Sequence, residues 1–300
     1  MHFTFTVYIG ILLVILFLVM IAGRLKISYP IVLVIGGLAL SFIPGLPQIS
    51  IDPELIFLIF LPPLLYEAAW QTSWKELWRW RRIVSSFAFL IVILTSGVIA
   101  IVSTSLIPGF TLALGFLLGG IISPPDAVAA TTVLKEVKVP KSLVNILEGE
   151  SLLNDASSLI VFRFALIAIT TGKFVFHEAV TSFFLVITMG IGVGLAIGMV
   201  FYAIHRWLPT NASMDTVLTF VAPYVMYITA ESMHFSGVLA VVAGGLFMSN
   251  KSHHFLTHLS RIRGVNVWST IGFVMNGIIF LLIGLELPVI VRQLGEVSLW

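Results

Sequence analysis

Apolar runs of about 20 residues recur along the whole 300-residue chain, each long enough to cross a hydrocarbon core of about 30 Å as a helix. Hydrophobic residues make up 59% of the chain and charged residues only 10%, whereas soluble domains carry about 25% charged residues. Backbone groups in lipid must be satisfied within helices or closed barrels. The sequence therefore predicts an all-α, multi-pass membrane protein. The first run, Phe3–Met20, lacks the basic start and cleavage site of a signal peptide and is expected to be the first helix.

The runs predict about ten transmembrane helices. Their approximate bounds are 5–23, 29–45, 54–70, 83–107, 110–134, 143–171, 179–205, 215–233, 236–249 and 265–288. All but three of the 16 Lys and Arg residues fall in every second connection; the exceptions are Lys173, Arg292 and the intramembrane Arg163. By the positive-inside rule the basic connections face the cytoplasm. The expected location is the plasma (inner) membrane, with the N-terminus outside.

The sequence argues against several other classes of protein. It contains no cysteine, so disulfides and thiolate metal sites are excluded. It also lacks a dinucleotide fingerprint, a phosphate-binding loop, a zinc-protease motif and a hydrolase elbow. We therefore expect neither an enzyme nor a resident cofactor, and a chain whose partners are membrane lipid and transported ions, with no nucleic acid.

The fifth run contains Ser123, Pro124, Pro125 and Asp126 in succession. Two prolines remove two amide donors and interrupt the helix, and irregular backbone is tolerated in a membrane only where it is buried in protein or lines a cavity. The backbone carbonyls near Ser123 and Pro125 become candidate cation ligands, and Asp126 a candidate cap for a second half-helix. A simple proline kink is the alternative.

The sixth run carries a polar stripe. Glu150 and Asn154 are four residues apart, as are Ser151 and Asp155, and this spacing places side chains on one helical face. Ionisable groups in membrane spans are costly and usually mark an ion or proton path. Oxygen groups of this kind suit a hard monovalent cation or a proton. At about 1.5 Å per residue, Asp155 and Asp126 can meet near the middle of the bilayer.

These residues resemble motifs of the cation:proton antiporter-1 family of sodium/proton exchangers. The resemblance rests on the S-P-P-D-A-V-A segment from Ser123 and the E-S-L-L-N-D segment that ends at Asp155. It continues in residues 62–69, 231–238 and 280–286. It implies an inverted-repeat fold with a broken helix at the midplane, alternating-access exchange of Na⁺ (or Li⁺/K⁺) for H⁺ in pH and sodium homeostasis, and a homodimer.

By this resemblance Asp155 alternately holds a proton and Na⁺, Asn154 is its neighbour, and Glu150 orients the site. Ser151 and Asp126 complete the Na⁺ site. The family commonly has Thr-Asp where this chain has Pro125-Asp126, which puts the coordination in question. The family pattern also has about 12 or 13 spans, so the C-terminal spans and part of the second repeat are expected to be missing.

The expected organisation is a single transmembrane exchanger domain over 1–300, with an ion-site core near 110–171 and a Trp/Arg-rich cytoplasmic loop at 71–82. The tryptophans of that loop are interpreted as an interfacial belt. In the seventh run, Gly190, Gly192, Gly194 and Gly198 are interpreted as a close-packing face.

Further polar residues have open roles. Glu67 is either part of a cytoplasmic funnel or an interfacial carboxylate paired with a basic residue. Arg163 is expected to pair with an intramembrane carboxylate, for which Glu231 is a candidate. His253, His254 and His258 form either a solvated basic loop or a pH-sensing cluster. Alternatives for the function are a proton-coupled carrier of another substrate, a passive cation channel, an intramembrane aspartyl protease and a non-transporting fragment of an exchanger.

Overall fold

The computed structural model describes residues 2–43, 53–125, 139–172 and 176–294, and all regular elements in these ranges are helices. They are α1 His2–Leu25, α2 Tyr29–Ser41, α3 Pro53–Gln71, α4 Trp74–Arg79, α5 Arg81–Ser85, a π-helical segment Ser86–Ile91, α6 Val92–Leu106, α7 Leu112–Ile122, α8 Lys141–Thr171, α9 Phe176–Trp207, α10 Ala212–Ser232, α11 Gly237–Phe255 and α12 His258–Leu294. The all-α prediction is confirmed.

Four helical stretches are long and apolar enough to cross a membrane by length and composition: Arg81–Leu106, Ser142–Thr171, Thr181–Trp207 and His258–Arg292. Shorter apolar helices occupy α1, α2, α3 and α7. Described helices lie within each predicted span, although α12 is longer than expected and α2 ends at Ser41, before the expected residue 45. Residues 126–134 of the fifth predicted span lie outside the described residues. The number of spans stays a prediction.

The chain divides into two units, whose boundaries fall inside α3 and α12. The first unit contains residues 1–56 and 267–300. Its core is formed by the buried Ile15, Leu33 and Leu281. Glycines bring the backbones of α2 and α12 together, since a Cβ added to Gly37 would lie 2.2 Å from the Leu281 carbonyl oxygen. The predicted single exchanger domain stays a prediction.

The second unit contains residues 57–266 and carries the polar stripe. Here α7 packs between α6 and α8 through glycines. A Cβ added to Gly119 would lie 2.6 Å from the Ser96 Cα atom, and one added to Gly120 would lie 3.0 Å from the Phe162 nitrogen. Small residues that let helix backbones approach are typical of membrane helix interfaces. This packing holds the end of α7 beside α8.

Three glycines of α9 form a face against α11. A Cβ added to Gly190 would lie 2.8 Å from the Ser236 carbonyl oxygen, and one added to Gly194 would lie 2.0 Å from the Ala240 carbonyl oxygen. Gly198 likewise faces Gly244 and Phe247. Gly192 has no heavy atom within 4 Å of such a Cβ. The predicted close-packing face therefore follows the four-residue spacing, and including Gly192 in it was wrong.

Contacts within the second unit bring basic connections to one end. Ser249 Oγ donates a 2.6 Å hydrogen bond to the Trp70 carbonyl, and Arg206 Nη1 donates one of 2.6 Å to the His254 carbonyl. Leu77, just after α3, packs against Gly149 of α8. The ends of α3, α9 and α11 therefore lie together, as the alternation of charge predicts. Which end faces the cytoplasm stays a prediction.

Candidate ion-binding site

Helix α8 carries the polar stripe of the candidate site. The helix begins after Pro140, whose extended backbone acts as the N-cap, and ends at Gly172, whose φ of 65° terminates the helix in the left-handed conformation. It is 31 residues long, and Asp155 lies about 21 Å along it at 1.5 Å per residue. The stripe is therefore placed well away from both helix ends.

The central contact of the stripe joins Glu150 and Asn154. Asn154 Nδ2 donates a 2.8 Å hydrogen bond to Glu150 Oε1. Asn154 is fully buried and Glu150 is 9% exposed. The contact agrees with the four-residue spacing that predicted a shared face. Asn154 Oδ1 is also buried and accepts no hydrogen bond from the described residues, so the amide keeps an acceptor available for a donor or a cation.

Ser151 and Asp155 extend the stripe. Ser151 is buried and Asp155 is half-buried, so the carboxylate of Asp155 is the more accessible of the two acidic groups. Ser158, one turn further along α8, donates a 2.9 Å hydrogen bond from its Oγ to the backbone carbonyl of Asp155. A buried carboxylate, a half-buried carboxylate, an amide and a hydroxyl thus occupy two consecutive turns of one helix.

Ser157 connects the stripe to the π-helical segment Ser86–Ile91, a contact that sequence reasoning missed. Its hydroxyl donates to the Ala88 carbonyl and is also 2.9 Å from the Asn154 carbonyl. Segments of π-helix are rare and are frequent at functional sites. No sequence signal marks the π-helix, because residues 86–91 read as an ordinary apolar run.

Helix α7 ends as the prolines predict. Its last residue is Ile122, and Ser123 caps it with its amide donating to the Gly119 carbonyl. Ser96 Oγ of α6 donates a 3.5 Å hydrogen bond to Ser123 Oγ. Pro125 is exposed, and Asp126 lies outside the described residues. The structure therefore describes the first half of the broken helix and leaves the pairing of Asp126 with Asp155 as a prediction.

Glu67 of α3 is half-buried and accepts a 2.9 Å hydrogen bond from Gln71 Nε2. The sequence had offered a basic partner as one interpretation. Among the described residues its hydrogen-bond partner is instead an amide one helical turn away.

Arg163 and Glu231 form the ion pair expected from the sequence, with 3.4 Å between Arg163 Nη1 and Glu231 Oε2. Glu231 Oε1 also accepts a 3.0 Å hydrogen bond from the Gly237 amide, which ties α10 to the start of α11. Both side chains are about one-third exposed and line a cavity of about 700 Å³ together with His234. Arg163 lies about 12 Å beyond Asp155 along α8, so this pair is separate from the stripe.

The structure also contains a buried His–Asp contact that sequence reasoning missed. His205 Nδ1 lies 2.9 Å from Asp215 Oδ1, joining α9 to α10, and both side chains are nearly inaccessible. His205 additionally packs on the Phe255 ring at 5.0 Å. The sequence feature that could have drawn attention to Asp215 is its position in the first turn of its helix, where a carboxylate is favoured. His253 and His254, which the sequence placed in a loop, lie in α11, and His258 is the first residue of α12. His253 contacts Arg261.

The chain resembles known transporters. The family model for the transmembrane sodium/hydrogen exchanger matches residues 11–300. A sodium, potassium, lithium and rubidium/H⁺ antiporter of Bacillus pumilus is 34% identical over 268 residues, covering 87% of this chain and 40% of the relative. The low-affinity Na⁺/H⁺ antiporter NhaS1 of Synechocystis is 37% identical over 262 residues, covering 86% of this chain and 49% of the relative.

A solved structure shares the fold. The sodium proton antiporter MjNhaP1 of Methanocaldococcus jannaschii superposes with a TM-score of 0.74 at 21% identity, covering 100% of this chain and 77% of that one. The chain spans 40 to 49% of the length of the two curated relatives above. The match to the family model covers nearly the whole chain, and the chain is therefore an integral membrane protein that belongs to the transmembrane sodium/hydrogen exchanger family.

Proposed function

We propose that this chain binds Na⁺, or Li⁺ or K⁺, in exchange for H⁺ and takes part in secondary antiport across the plasma (inner) membrane. The observation that carries the proposal is the buried Glu150–Asn154 hydrogen bond beside the half-buried Asp155 on α8. The charged form of a carboxylate inside a membrane span is costly, so a proton and a cation can compete to neutralise Asp155. One group with two competing ligands is the minimal chemistry of an antiporter.

Each residue has a proposed part in this exchange. Asp155 carries either the proton or the cation. Asn154 is held by Glu150, so its buried Oδ1 faces a fixed direction. Ser151 offers a hydroxyl ligand, Ser123 and Pro125 offer backbone carbonyls, and Asp126 offers a second carboxylate. Supporting this assignment, Gly120 lets α7 approach α8 within one turn of Asp155.

Other parts of the proposal concern the paths to the site and the assembly. Glu67 is placed to attract cations at the basic end, and the cavity beside Arg163 and Glu231 offers access at the other end. The Bacillus pumilus relative is named for antiport of Na⁺, K⁺, Li⁺ and Rb⁺ against H⁺, and the Synechocystis relative for Na⁺/H⁺ antiport, which supports a monovalent cation as the cargo. We further propose an N-terminus outside the cell and a homodimer.

The test measures Na⁺-driven proton flux in everted vesicles for this chain and for Asp155→Asn. Sodium should collapse a preformed pH gradient with the native chain and leave it intact with Asp155→Asn. Glu76→Gln, which removes a carboxylate from α4 outside the stripe, should retain the flux. Flux that persists in Asp155→Asn would overturn the assignment of Asp155.

A second measurement does not depend on complete transport. Addition of NaCl or LiCl to the purified chain in weakly buffered detergent should release protons, and Asp155→Asn should release none. Proton release without vesicle flux would describe a chain that binds ions but does not carry them across. Absence of proton release for Na⁺, Li⁺ and K⁺ alike would overturn the antiport proposal.

A further inference from the structure

A basic and aromatic surface lies on the helices that connect α3 to α6. We call it the Trp–Arg patch; it consists of Trp74, Lys75, Trp78, Arg79, Trp80, Arg81 and Arg82. Two of its tryptophan side chains are exposed, Trp74 by 42% and Trp78 by 57%. All four cationic side chains are exposed as well. Large apolar rings that stay open next to cations mark an interaction surface.

The rings and cations of the patch are held in a defined order. Trp74 and Trp78 stack with 5.8 Å between ring centroids. The Arg81 guanidinium lies 4.8 Å from the centre of the Trp78 ring, and its Nη1 donates a 2.9 Å hydrogen bond to the Trp78 carbonyl. Arg79 lies over Trp80 at 5.6 Å. Stacking on a ring fixes a guanidinium while leaving its outer N–H groups free to donate.

Within the described residues, the patch carries more positive than negative charge. Four cations share the segment with a single carboxylate, Glu76. Across the described parts of the chain, none of the four cations forms an ion pair. Lys75 and Arg82 also make no hydrogen bond to another described side chain. A surface of this kind attracts an anion that offers several oxygen acceptors.

The opposite face of the patch is anchored in the protein. Leu77 packs against Gly149, where an added Cβ would lie 2.9 Å from its Cδ1 atom, and Val84 is 1% exposed. Gly149 immediately precedes Glu150 of the polar stripe. The patch is therefore anchored on α8 in the second unit, and its cations are exposed.

The surface next to the patch is apolar. Ile83 is 39% and Phe87 is 45% exposed, and both continue into the apolar run of Arg81–Leu106. Moving along the chain, the surface thus changes from aromatic and basic to apolar. A phospholipid has the same sequence of chemistry from its phosphate to its acyl chains, whereas a free phosphate or an acidic peptide would leave the apolar part uncovered.

We propose that the Trp–Arg patch is a binding site for an anionic phospholipid, whose phosphate is held by Lys75, Arg79, Arg81 and Arg82 and whose acyl chains lie against Ile83 and Phe87. Basic residues beside a membrane span attract anionic headgroups, each by about fivefold in affinity. Exposed tryptophans are favoured at the headgroup level. This inference does not depend on the proposed antiport.

The experiment uses the purified chain in detergent and counts bound lipid by native mass spectrometry. Phosphatidylglycerol should bind more tightly than phosphatidylcholine. The double variant Lys75→Gln/Arg82→Gln should lose on the order of twentyfold in affinity for phosphatidylglycerol and little for phosphatidylcholine. Lys251→Gln/Arg263→Gln is the matched control, since it removes one exposed Lys and one exposed Arg without adjacent tryptophans, and it should keep the affinity.

Three outcomes would overturn the proposal. They are equal affinity for the two lipids, an equal loss in the patch variant and the control variant, and displacement of the lipid by glycerol phosphate at the same concentration as by phosphatidylglycerol. A second readout is quenching of tryptophan fluorescence by brominated phosphatidylglycerol. It should be strong for the native chain and weaker for Lys75→Gln/Arg82→Gln, with thermal unfolding midpoints that match because both positions are exposed.

Discussion

Two amide–carboxylate hydrogen bonds in this protein have the same chemistry and spacing but different burial. Asn154 donates to Glu150 inside the protein, and Gln71 donates to Glu67 in a more open position. Removing a partner from a buried polar group costs about 1–3 kcal/mol, because the remaining group loses its hydrogen bond without regaining water. Asn154→Ala should therefore lower the free energy of unfolding by about that amount.

Gln71→Ala is the matched control for this prediction. It breaks a bond of similar length at the same spacing, but Glu67 is less buried than Glu150, so we expect a loss below about 0.5 kcal/mol. Both variants would be unfolded by adding SDS to mixed detergent micelles. Equal losses in the free energy of unfolding would contradict this prediction, because the burial of Glu150 would then have no effect.

The His205–Asp215 contact and the Arg163–Glu231 ion pair allow a second comparison at the level of single residues. The His205–Asp215 pair is almost inaccessible, whereas Arg163 and Glu231 are about one-third exposed. Removing one partner of a buried hydrogen bond costs about 1–3 kcal/mol. Arg163 and Glu231 instead line a cavity, and an ion pair that solvent reaches contributes about 0–1 kcal/mol. In the same SDS titration, Asp215→Ala should destabilise the protein clearly more than Glu231→Ala. A larger effect of Glu231→Ala would contradict this ranking.

At the level of helices, glycine spacing determines how closely α9 and α11 approach. A Cβ at Gly194 would meet the Ala240 carbonyl oxygen at 2.0 Å, whereas a Cβ at Gly192 would meet nothing within 4 Å. Gly194→Ala should therefore separate the helices and lower the thermal unfolding midpoint by several degrees. Gly192→Ala should keep or raise the midpoint, since alanine is favoured over glycine in a helix by about 1 kcal/mol.

A structural feature could be predicted when the interactions that produce it are between residues close together in the sequence. Apolar runs and prolines act along the chain, so the helices and the end of α7 before Pro124 were predictable. The Glu150–Asn154 contact was predictable for the same reason. The hydrogen bonds from Ser157 to Ala88 and between His205 and Asp215 join different helices. No pattern in a single sequence specifies such contacts. Gly192 lies outside the packing face, so the presence of a glycine in a helix does not by itself predict a helix contact at that position.

At the level of the whole molecule, the distribution of charge determines the orientation in the membrane. Basic residues in a loop oppose its translocation, so the connections rich in Lys and Arg should stay in the cytoplasm. Ser73 lies in such a connection and is exposed, and Pro108 lies in an exposed connection without Lys or Arg. The chain contains no cysteine, so labelling of a single introduced cysteine shows on which side of the membrane that position lies.

We expect a membrane-impermeant maleimide to label Pro108→Cys in intact cells. Ser73→Cys should be labelled only after the membrane is permeabilised, and the native chain should not be labelled at all. The reason is energetic: moving the connection that contains Lys75, Arg79, Arg81 and Arg82 across the bilayer would require dehydrating four charges, whereas the connection at Pro108 carries none. The reverse pattern, with Ser73→Cys labelled in intact cells, would place the Trp–Arg patch on the outer surface and invert the proposed orientation.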